Sequence, residues 1–189
     1  MRIISGKLKG SSLYISKDKT IRPLKDLARE SIFNVLNHSN KILFQLEKSN
    51  ILDLYAGTGS FGLECLSRKA RHVCFVENEK SAIKVLEKNI EKMDIRKKTK
   101  VFFKDAMNLI EKKNILNLKF DLIFCDPPFK FTDISKLIQL IFNNNLLNES
   151  GIIILHRNKT TKEKLPDYFK VIEERLYGIS KIIFGKFLS

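Results

Sequence analysis

Residues 50–62 read N-I-L-D-L-Y-A-G-T-G-S-F-G, and this stretch decides the fold. The segment Asn50–Leu54 is a short apolar run typical of a buried strand. Three glycines follow with the spacing G-x-G-x-x-G, and an apolar pattern over 60–68 predicts a helix. A strand, a glycine loop and a helix in this order indicate the first unit of a Rossmann-like sheet.

The same alternation continues along the chain. Further strands are predicted at His72–Glu77, 100–103, Phe120–Cys125 and 151–155, with helices at 79–93, 107–111 and 132–142. Two β-like runs at 169–176 and 179–187 are separated by Tyr177-Gly178, which predicts a hairpin. Strands spaced by helices imply right-handed crossovers and a parallel sheet covered on both faces. We therefore predict an α/β fold with seven strands, one of them antiparallel.

The first 49 residues differ from the rest. They contain a short basic arm with β-like runs over 3–15, followed by a helix over 25–36. The inner face of this helix is expected to carry Leu27, Ser31 and Val35 beside Ala28, Ile32 and Leu36. Because we find no repeat and no linker, we predict one domain, 1–189, in which the arm and helix (1–49) extend a Rossmann-like core (50–189).

Composition favours a globular protein with a polyanionic partner. The 189 residues are 43% hydrophobic and 30% charged, and 35 Lys and Arg against 21 Asp and Glu give a net charge of +14. Nucleic acid is the commonest polyanion, although a genome biased toward lysine codons explains part of the excess. No apolar run approaches the roughly 18 residues of a membrane span, and the start lacks a signal-peptide pattern. We therefore predict a cytoplasmic protein without a membrane partner.

Cysteines and histidines do not form a metal-binding pattern. The chain has three cysteines, an odd number without a C-x-x-C pair, and two of them lie in apolar runs. Buried reduced thiols are the expectation, and no metal is predicted. The histidines His38, His72 and His156 are scattered and are interpreted as surface or packing residues.

Asp53, four positions before the first glycine, selects the ligand of the loop. A dinucleotide would bring a pyrophosphate close to this carboxylate, and the two negative charges would repel each other. S-adenosylmethionine (SAM) carries an ammonium and a sulfonium there instead. Glu77 at the end of the second strand suits the ribose hydroxyls, and Asp105 either meets the adenine or caps a helix. The predicted cofactor residues are Asp53, Tyr55, Gly57, Gly59, Glu77, Asn78, Asp105 and Ala106.

The fourth predicted strand ends in Asp126-Pro127-Pro128-Phe129. Two prolines cannot continue a strand, so they form a rigid loop at the carboxyl end of the sheet. Asp126 and the Pro127 carbonyl can accept both N–H groups of an exocyclic amine, while Phe129 stacks on the base. Asp126 then either takes the proton of the amine or only orients it. This motif predicts methyl transfer to an amino group of a nucleobase.

Together these motifs resemble class I SAM-dependent methyltransferases and, more closely, the RsmD family. The resemblance spans nearly the whole chain and rests on the arm 2–10, Arg22-Pro23, 29–36, 53–64, Glu77-Asn78, Asp105-Ala106 and 126–129. The family pattern has two threonines after Arg-Pro, where this chain has Leu24-Lys25. The resemblance implies transfer to the N2 amine of a guanine in 16S ribosomal RNA of the small subunit, of the guanine 966 type.

The basic arm fits an RNA partner. We predict that Arg2, Lys7, Arg22 and Arg29 contact RNA phosphates, and that the enzyme is a monomer. One alternative is a DNA adenine-N6 methyltransferase, which uses a similar tetrapeptide but needs an additional segment to read and flip its base. Another is a ribosome-assembly protein that binds RNA without catalysis, against which the intact acidic and glycine motifs argue.

Overall fold

The computed structural model of the protein describes residues 1–16, 18, 24, 26–112 and 118–188. Five α-helices cover Asp26–His38 (α1), Ser60–Ser67 (α2), Lys80–Lys92 (α3), Ala106–Glu111 (α4) and Ile134–Asn143 (α5), and Arg96–Lys98 forms a 3₁₀ turn. Seven strands cover Asn50–Leu54 (β1), His72–Glu77 (β2), Thr99–Phe103 (β3), Phe120–Cys125 (β4), Leu147–Asn158 (β5), Phe169–Tyr177 (β6) and Ser180–Phe187 (β7).

The strands form one sheet in the order β3-β2-β1-β4-β5-β7-β6. Strands β1 to β5 run parallel, and β7 lies antiparallel between β5 and β6. Strands β3 and β6 are the outer edges, and the pairing of β6 with β7 shifts register between Val171 and Glu173. This confirms the predicted seven-stranded, mostly parallel sheet with one antiparallel strand.

Alternate residues of the strands contribute their side chains to two apolar layers, one on each face of the sheet. The first layer packs α1, α2 and α3 against side chains such as Val73 and Phe75. The second packs α4 and α5 against Cys74 and Val76. The arm belongs to the first layer, because Ile3 is buried in it together with the α1 residues. Helices therefore cover both faces, as predicted.

Helix α2 packs closely against the sheet at Gly62. A side chain at Gly62 would bring its Cβ to 2.4 Å from Phe75 Cε1, so only glycine allows this approach. The Phe61 ring, one residue earlier, stacks on Phe124 of β4 with the ring centroids 4.0 Å apart. The third glycine of the motif therefore allows α2 to pack closely against β2.

Most predicted elements agree with the structure within two residues, but four details differ. Strand β5 is longer than the predicted run 151–155 at both ends, because Leu147 already pairs with Phe120 of β4 and pairing with β7 continues to Asn158. The hairpin turn is Gly178-Ile179, since Tyr177 already pairs with Ser180. The arm forms a single bridge, between Arg2 and Ser12, rather than a strand. Leu27 is 66% exposed, so its predicted place on the inner face of α1 is wrong.

Candidate functional site

The glycine loop and the D-P-P-F motif meet at the centre of the sheet. Strands β1 and β4 are neighbours, Leu54 pairs with Cys125, and the Asp126 amide donates to the Leu54 carbonyl at 3.3 Å. The strand order reverses between these two strands, because β2 and β3 follow on one side and β5 on the other. Open α/β sheets bind their ligands at this switch point, at the carboxyl ends of the strands.

Asp53 lies inside the protein at the end of β1. It is 1% exposed, and its Oδ2 accepts a hydrogen bond from the Gly62 amide at 3.0 Å. Burial raises the pKa of Asp53 well above its ordinary value; the Gly62 amide opposes this shift, and Asp126 and Glu77 add to it. The carboxyl group of Asp53 therefore connects the first turn of α2 to β1.

Glu77 links the glycine loop to the end of β2. Its Oε2 accepts from the Gly57 amide at 2.6 Å, and its Oε1 accepts from the Asn78 and Glu79 amides, each at 2.8 Å. Gly57 and Gly59 have φ angles of 55° and 83°, values that favour glycine. The predicted acidic residue and the predicted loop are thus in direct contact.

Tyr55 occupies the space between the loop and the D-P-P-F segment. Its φ is 61°, its ring lies 5.8 Å from that of Phe131, and its buried hydroxyl has no hydrogen-bond partner in the described part of the chain. Burial raises the pKa of this hydroxyl. Asp105 caps α4 by accepting from the Asn108 amide at 3.0 Å, and Ala106 is the first residue of that helix.

These groups fit a cofactor with an ammonium and vicinal hydroxyls. The site offers the carboxyl groups of Asp53 and Glu77 at two strand ends, and the unpartnered hydroxyl of Tyr55 is a polar group that a bound ligand could satisfy. Residues 53–59 and 77–79 carry acidic side chains and no basic one, so a pyrophosphate bound at this loop would lie close to acidic groups. The donor set therefore suits SAM better than a dinucleotide.

Asp126 is held by a histidine. His156 Nδ1 lies 2.7 Å from Asp126 Oδ1, and His156 Nε2 lies 2.8 Å from Ser180 Oγ. The Asp126 side chain remains 18% exposed, and its Oδ2 has no hydrogen-bond partner among the described residues. The interpretation of His156 as a buried packing residue is therefore incomplete, because it contacts the predicted catalytic carboxylate.

Arg157, the next residue on β5, holds the rest of the motif. Its guanidinium donates to the carbonyls of Pro128 at 3.2 Å and Phe131 at 2.5 Å, and to Glu163 at 2.6 Å. The arginine is 1% exposed. The Pro127 carbonyl accepts no hydrogen bond from the described residues, so the motif presents it and Asp126 Oδ2 as two uncommitted acceptors.

The N-terminal arm is tied to α2 and α3. Glu64, buried on α2, accepts the amides of Ile4 at 2.7 Å and Ser5 at 2.9 Å. Asn89 on α3 binds both backbone groups of Tyr14 and also donates to the Thr58 carbonyl in the glycine loop. One amide side chain therefore joins the arm to the predicted cofactor loop.

The predicted RNA contacts fall into three groups. Arg2 and Lys7 are exposed on the arm. Arg22 lies outside the described residues. Arg29 is fully buried beside Glu64, and it donates to the Arg2 carbonyl at 2.6 Å and to Asp26 at 3.0 Å. The prediction that Arg29 contacts RNA is wrong, because its guanidinium anchors the arm and has no exposed surface.

No described helix combines the length and the apolar character that a membrane crossing requires. Within the described ranges, no three His, Cys, Asp or Glu side chains are grouped so as to bind a metal ion. The three cysteines are free and buried, as expected for reduced thiols, and burial raises the pKa of Cys74 to about 11.

Sequence reasoning missed four residues of the site: Glu64, Asn89, His156 and Arg157. Glu64 and Asn89 stand on inward faces of predicted helices, where a polar residue signals a buried partner. His156 and Arg157 directly follow an apolar strand at the edge where ligands bind, which was the available signal. Asp126 lies 30 residues from His156 along the chain, and Phe131 lies 26 residues from Arg157, so these contacts could not be read from the sequence.

Comparison with known proteins agrees with this geometry. The family described as "Conserved hypothetical protein 95" matches residues 1–186. "Ribosomal RNA small subunit methyltransferase D" of Buchnera aphidicola subsp. Baizongia pistaciae is 35% identical over 160 residues, 85% of this chain and 77% of that protein. YlbH of Bacillus subtilis is 31% identical over 188 residues, 98% of both chains.

The solved structure of yhhF from Escherichia coli superimposes with a TM-score of 0.84 at 25% identity, covering 99% of this chain and 97% of that one. Both the sequence match and the structural match extend over the arm as well as the sheet. The glycine loop, the acidic strand ends and the D-P-P-F motif therefore stand in the context that the sequence indicated, and the chain belongs to the RsmD family of class I SAM-dependent methyltransferases.

Proposed function

We propose that this protein transfers a methyl group from SAM to the exocyclic N2 amine of a guanine in 16S ribosomal RNA, the guanine at position 966 of that RNA. The observation that carries the proposal is the pair of uncommitted acceptors after β4, Asp126 Oδ2 and the Pro127 carbonyl. An exocyclic amine has two N–H groups, and two acceptors in fixed positions suit it. The name of the Buchnera relative supports a small-subunit RNA substrate.

The proposed chemistry depends on orienting a poor nucleophile. When bound, SAM supplies a sulfonium methyl group; its S–C electron pair stays on sulfur as the new N–C bond forms. The amine nitrogen then carries an extra proton, which must leave. Asp126 Oδ2 and the Pro127 carbonyl draw the two N–H groups out of the plane of the base, which localises the lone pair on nitrogen. Phe129 stacks on the base, and Asp126 is the nearest group able to take the proton.

The cofactor contacts are proposed on the same basis. Asp53 lies near the end of β1, and the loop that follows contains Tyr55, Gly57 and Gly59. Glu77 is the last residue of β2, and Asn78 follows it. Asp105 and Ala106 begin α4 and complete this edge of the sheet. Glu77 reaches the loop directly through the Gly57 amide, so a change in the loop alters the position of the carboxylate that we assign to the ribose hydroxyls.

We further propose that RNA lies across the arm. Arg2 and Lys7 are exposed, and the arm backbone is fastened to α2 and α3, so these charges are held in fixed places relative to the site. Such contacts position an RNA through its phosphates without reading its sequence. Arg22 stays a prediction. An enzyme with this substrate works in the cytoplasm, and we propose that it acts as a monomer.

The test is methyl transfer from tritiated SAM to unmodified small ribosomal subunits, naked 16S RNA and duplex DNA in parallel. We expect label in N2-methylguanosine, and we expect Asp126→Ala to abolish transfer while SAM affinity changes only a few-fold. Label in N6-methyladenine of DNA would replace the proposed substrate. SAM binding without transfer to any of these three acceptors would indicate that the substrate is a protein or small-molecule amine instead.

A further inference from the structure

His156 occupies a place where an apolar residue would be ordinary. It is 2% exposed near the end of β5, paired with Ile182 of β7 and directly after the apolar run 151–155. Both ring nitrogens nevertheless have polar partners, Asp126 on one side and Ser180 on the other. A buried imidazole with both nitrogens engaged is held in one orientation, which simple packing would not require.

The partners also fix which nitrogen carries the proton. A carboxylate accepts and cannot donate, so His156 Nδ1 donates to Asp126 Oδ1. The hydroxyl of Ser180 can then donate to the lone pair on Nε2. The arrangement thus selects the imidazole with its proton on Nδ1.

The same ring contacts a second part of the motif. The Phe129 ring meets the His156 ring edge to face, with centroids 5.8 Å apart and planes at 72°. His156 therefore touches both the carboxylate and the aromatic ring to which we assign the substrate base. A residue that contacts both can fix the orientation of the Asp126 carboxylate relative to the Phe129 ring.

We propose that His156 is a positioning residue for the transfer: it occupies Asp126 Oδ1, leaves Oδ2 to accept from the amine, and supports the Phe129 ring. Ser180 secures the orientation of His156. The inference rests on the proposed function for the identity of the amine. The same position of the Asp126 carboxyl would orient any other amine that receives the methyl group.

Three variants test the role of the N–H group that His156 donates to Asp126. His156→Phe keeps the size of the ring and removes both nitrogens, whereas His156→Asn places an amide N–H near the position of Nδ1. We expect His156→Phe to lower kcat about 10- to 100-fold, with the KM for SAM within about twofold because the loop residues are untouched. His156→Asn should retain most of kcat, and Ser180→Ala should fall between the two. Equal activity of His156→Phe and wild type, or equal loss in both His156 variants, would overturn the proposal.

A second measurement uses the wild-type protein and therefore does not depend on whether a variant folds. Nitrogen-15 chemical shifts of the His156 imidazole distinguish the two neutral tautomers, and we expect the proton on Nδ1 near neutral pH. A proton on Nε2 alone would overturn the proposal, because Asp126 would then have no donor from this ring. If wild-type protein labels no guanine, the proposed function fails, while the tautomer still decides the role of His156.

Discussion

The buried carboxylate of Glu64 provides the sharpest stability prediction. Its side chain is 0% exposed; Oε2 accepts from Ile4, and Oε1 accepts from Ser5 and from Arg68 Nε at 2.8 Å. Arg29 Nε lies 3.9 Å from Oε2, and burial lowers the pKa of this arginine. Glu64→Gln keeps the shape of the side chain but removes its charge and turns one acceptor into a donor.

The magnitude follows from the groups left without a partner. In either orientation of the new amide, at least one N–H donor loses its acceptor, at a cost of about 1–3 kcal/mol. Arg29 also loses its buried counter-charge, and breaking a buried ion pair from one side costs about 3–5 kcal/mol. Since Arg29 keeps Asp26 and the Arg2 carbonyl, we expect a total loss of about 3–5 kcal/mol rather than the full sum.

Urea unfolding of Glu64→Gln beside wild type measures this loss. The matched control is Glu47→Gln, because Glu47 pairs with Lys69 at 3.4 Å with both side chains 55% exposed, and such pairs contribute about 1 kcal/mol or less. Hydrogen exchange of the Ile4 and Ser5 amides should accelerate in Glu64→Gln alone. An unfolding free energy within about 1 kcal/mol of wild type would refute the buried network as the anchor of the arm.

Two further predictions concern residues near the carboxyl ends of β1 and β5. Because burial raises the pKa of Asp53, the folded state keeps this proton to higher pH than the unfolded state, and Asp53 costs stability as pH rises from its ordinary value toward the folded value. Asp53→Asn removes this cost, so its urea midpoint relative to wild type should increase with pH; a constant difference would show that Asp53 is not buried in its protonated form. Arg157→Met leaves Glu163, 7% exposed, without its charge partner and frees the Pro128 and Phe131 carbonyls. We expect a loss of about 3–5 kcal/mol, partly restored in the double variant with Glu163→Met, and single-turnover rates that fall more than SAM affinity; unchanged rates would contradict support of the motif by Arg157.

The sequence predicts the bounds of the central strands and the positions of the two loops well, because the patterns that indicate them are local. Strands β1, β2 and β4 are short runs dominated by apolar residues, and their predicted bounds agree with the structure. The glycine spacing and the double proline limit the backbone directly, so the two loops could be placed without knowing the packing. Register and strand order, in contrast, depend on contacts between distant segments.

The roles of buried charges could not be predicted in the same way. Arg29 lies in a basic N-terminal segment, and its charge alone indicates a phosphate contact; in the structure it instead contacts the Arg2 carbonyl, 27 residues earlier, and lies beside Glu64, 35 residues later. His156 and Arg157 differ from surface residues only because β5 continues against β7. Each case depends on a pairing that the local pattern does not contain.

The two outer strands have a consequence for behaviour at high concentration. An open sheet presents rows of unpaired backbone groups at its edges, and these can template association with another chain. At one edge β3 has only five residues, with Lys100 within it and Lys104 just beyond. At the other, β6 carries Lys170, Glu174 and Arg175 as exposed residues, and its register shift interrupts regular pairing. Short length, charge and an irregular step at the open ends disfavour edge-to-edge aggregation of the folded protein.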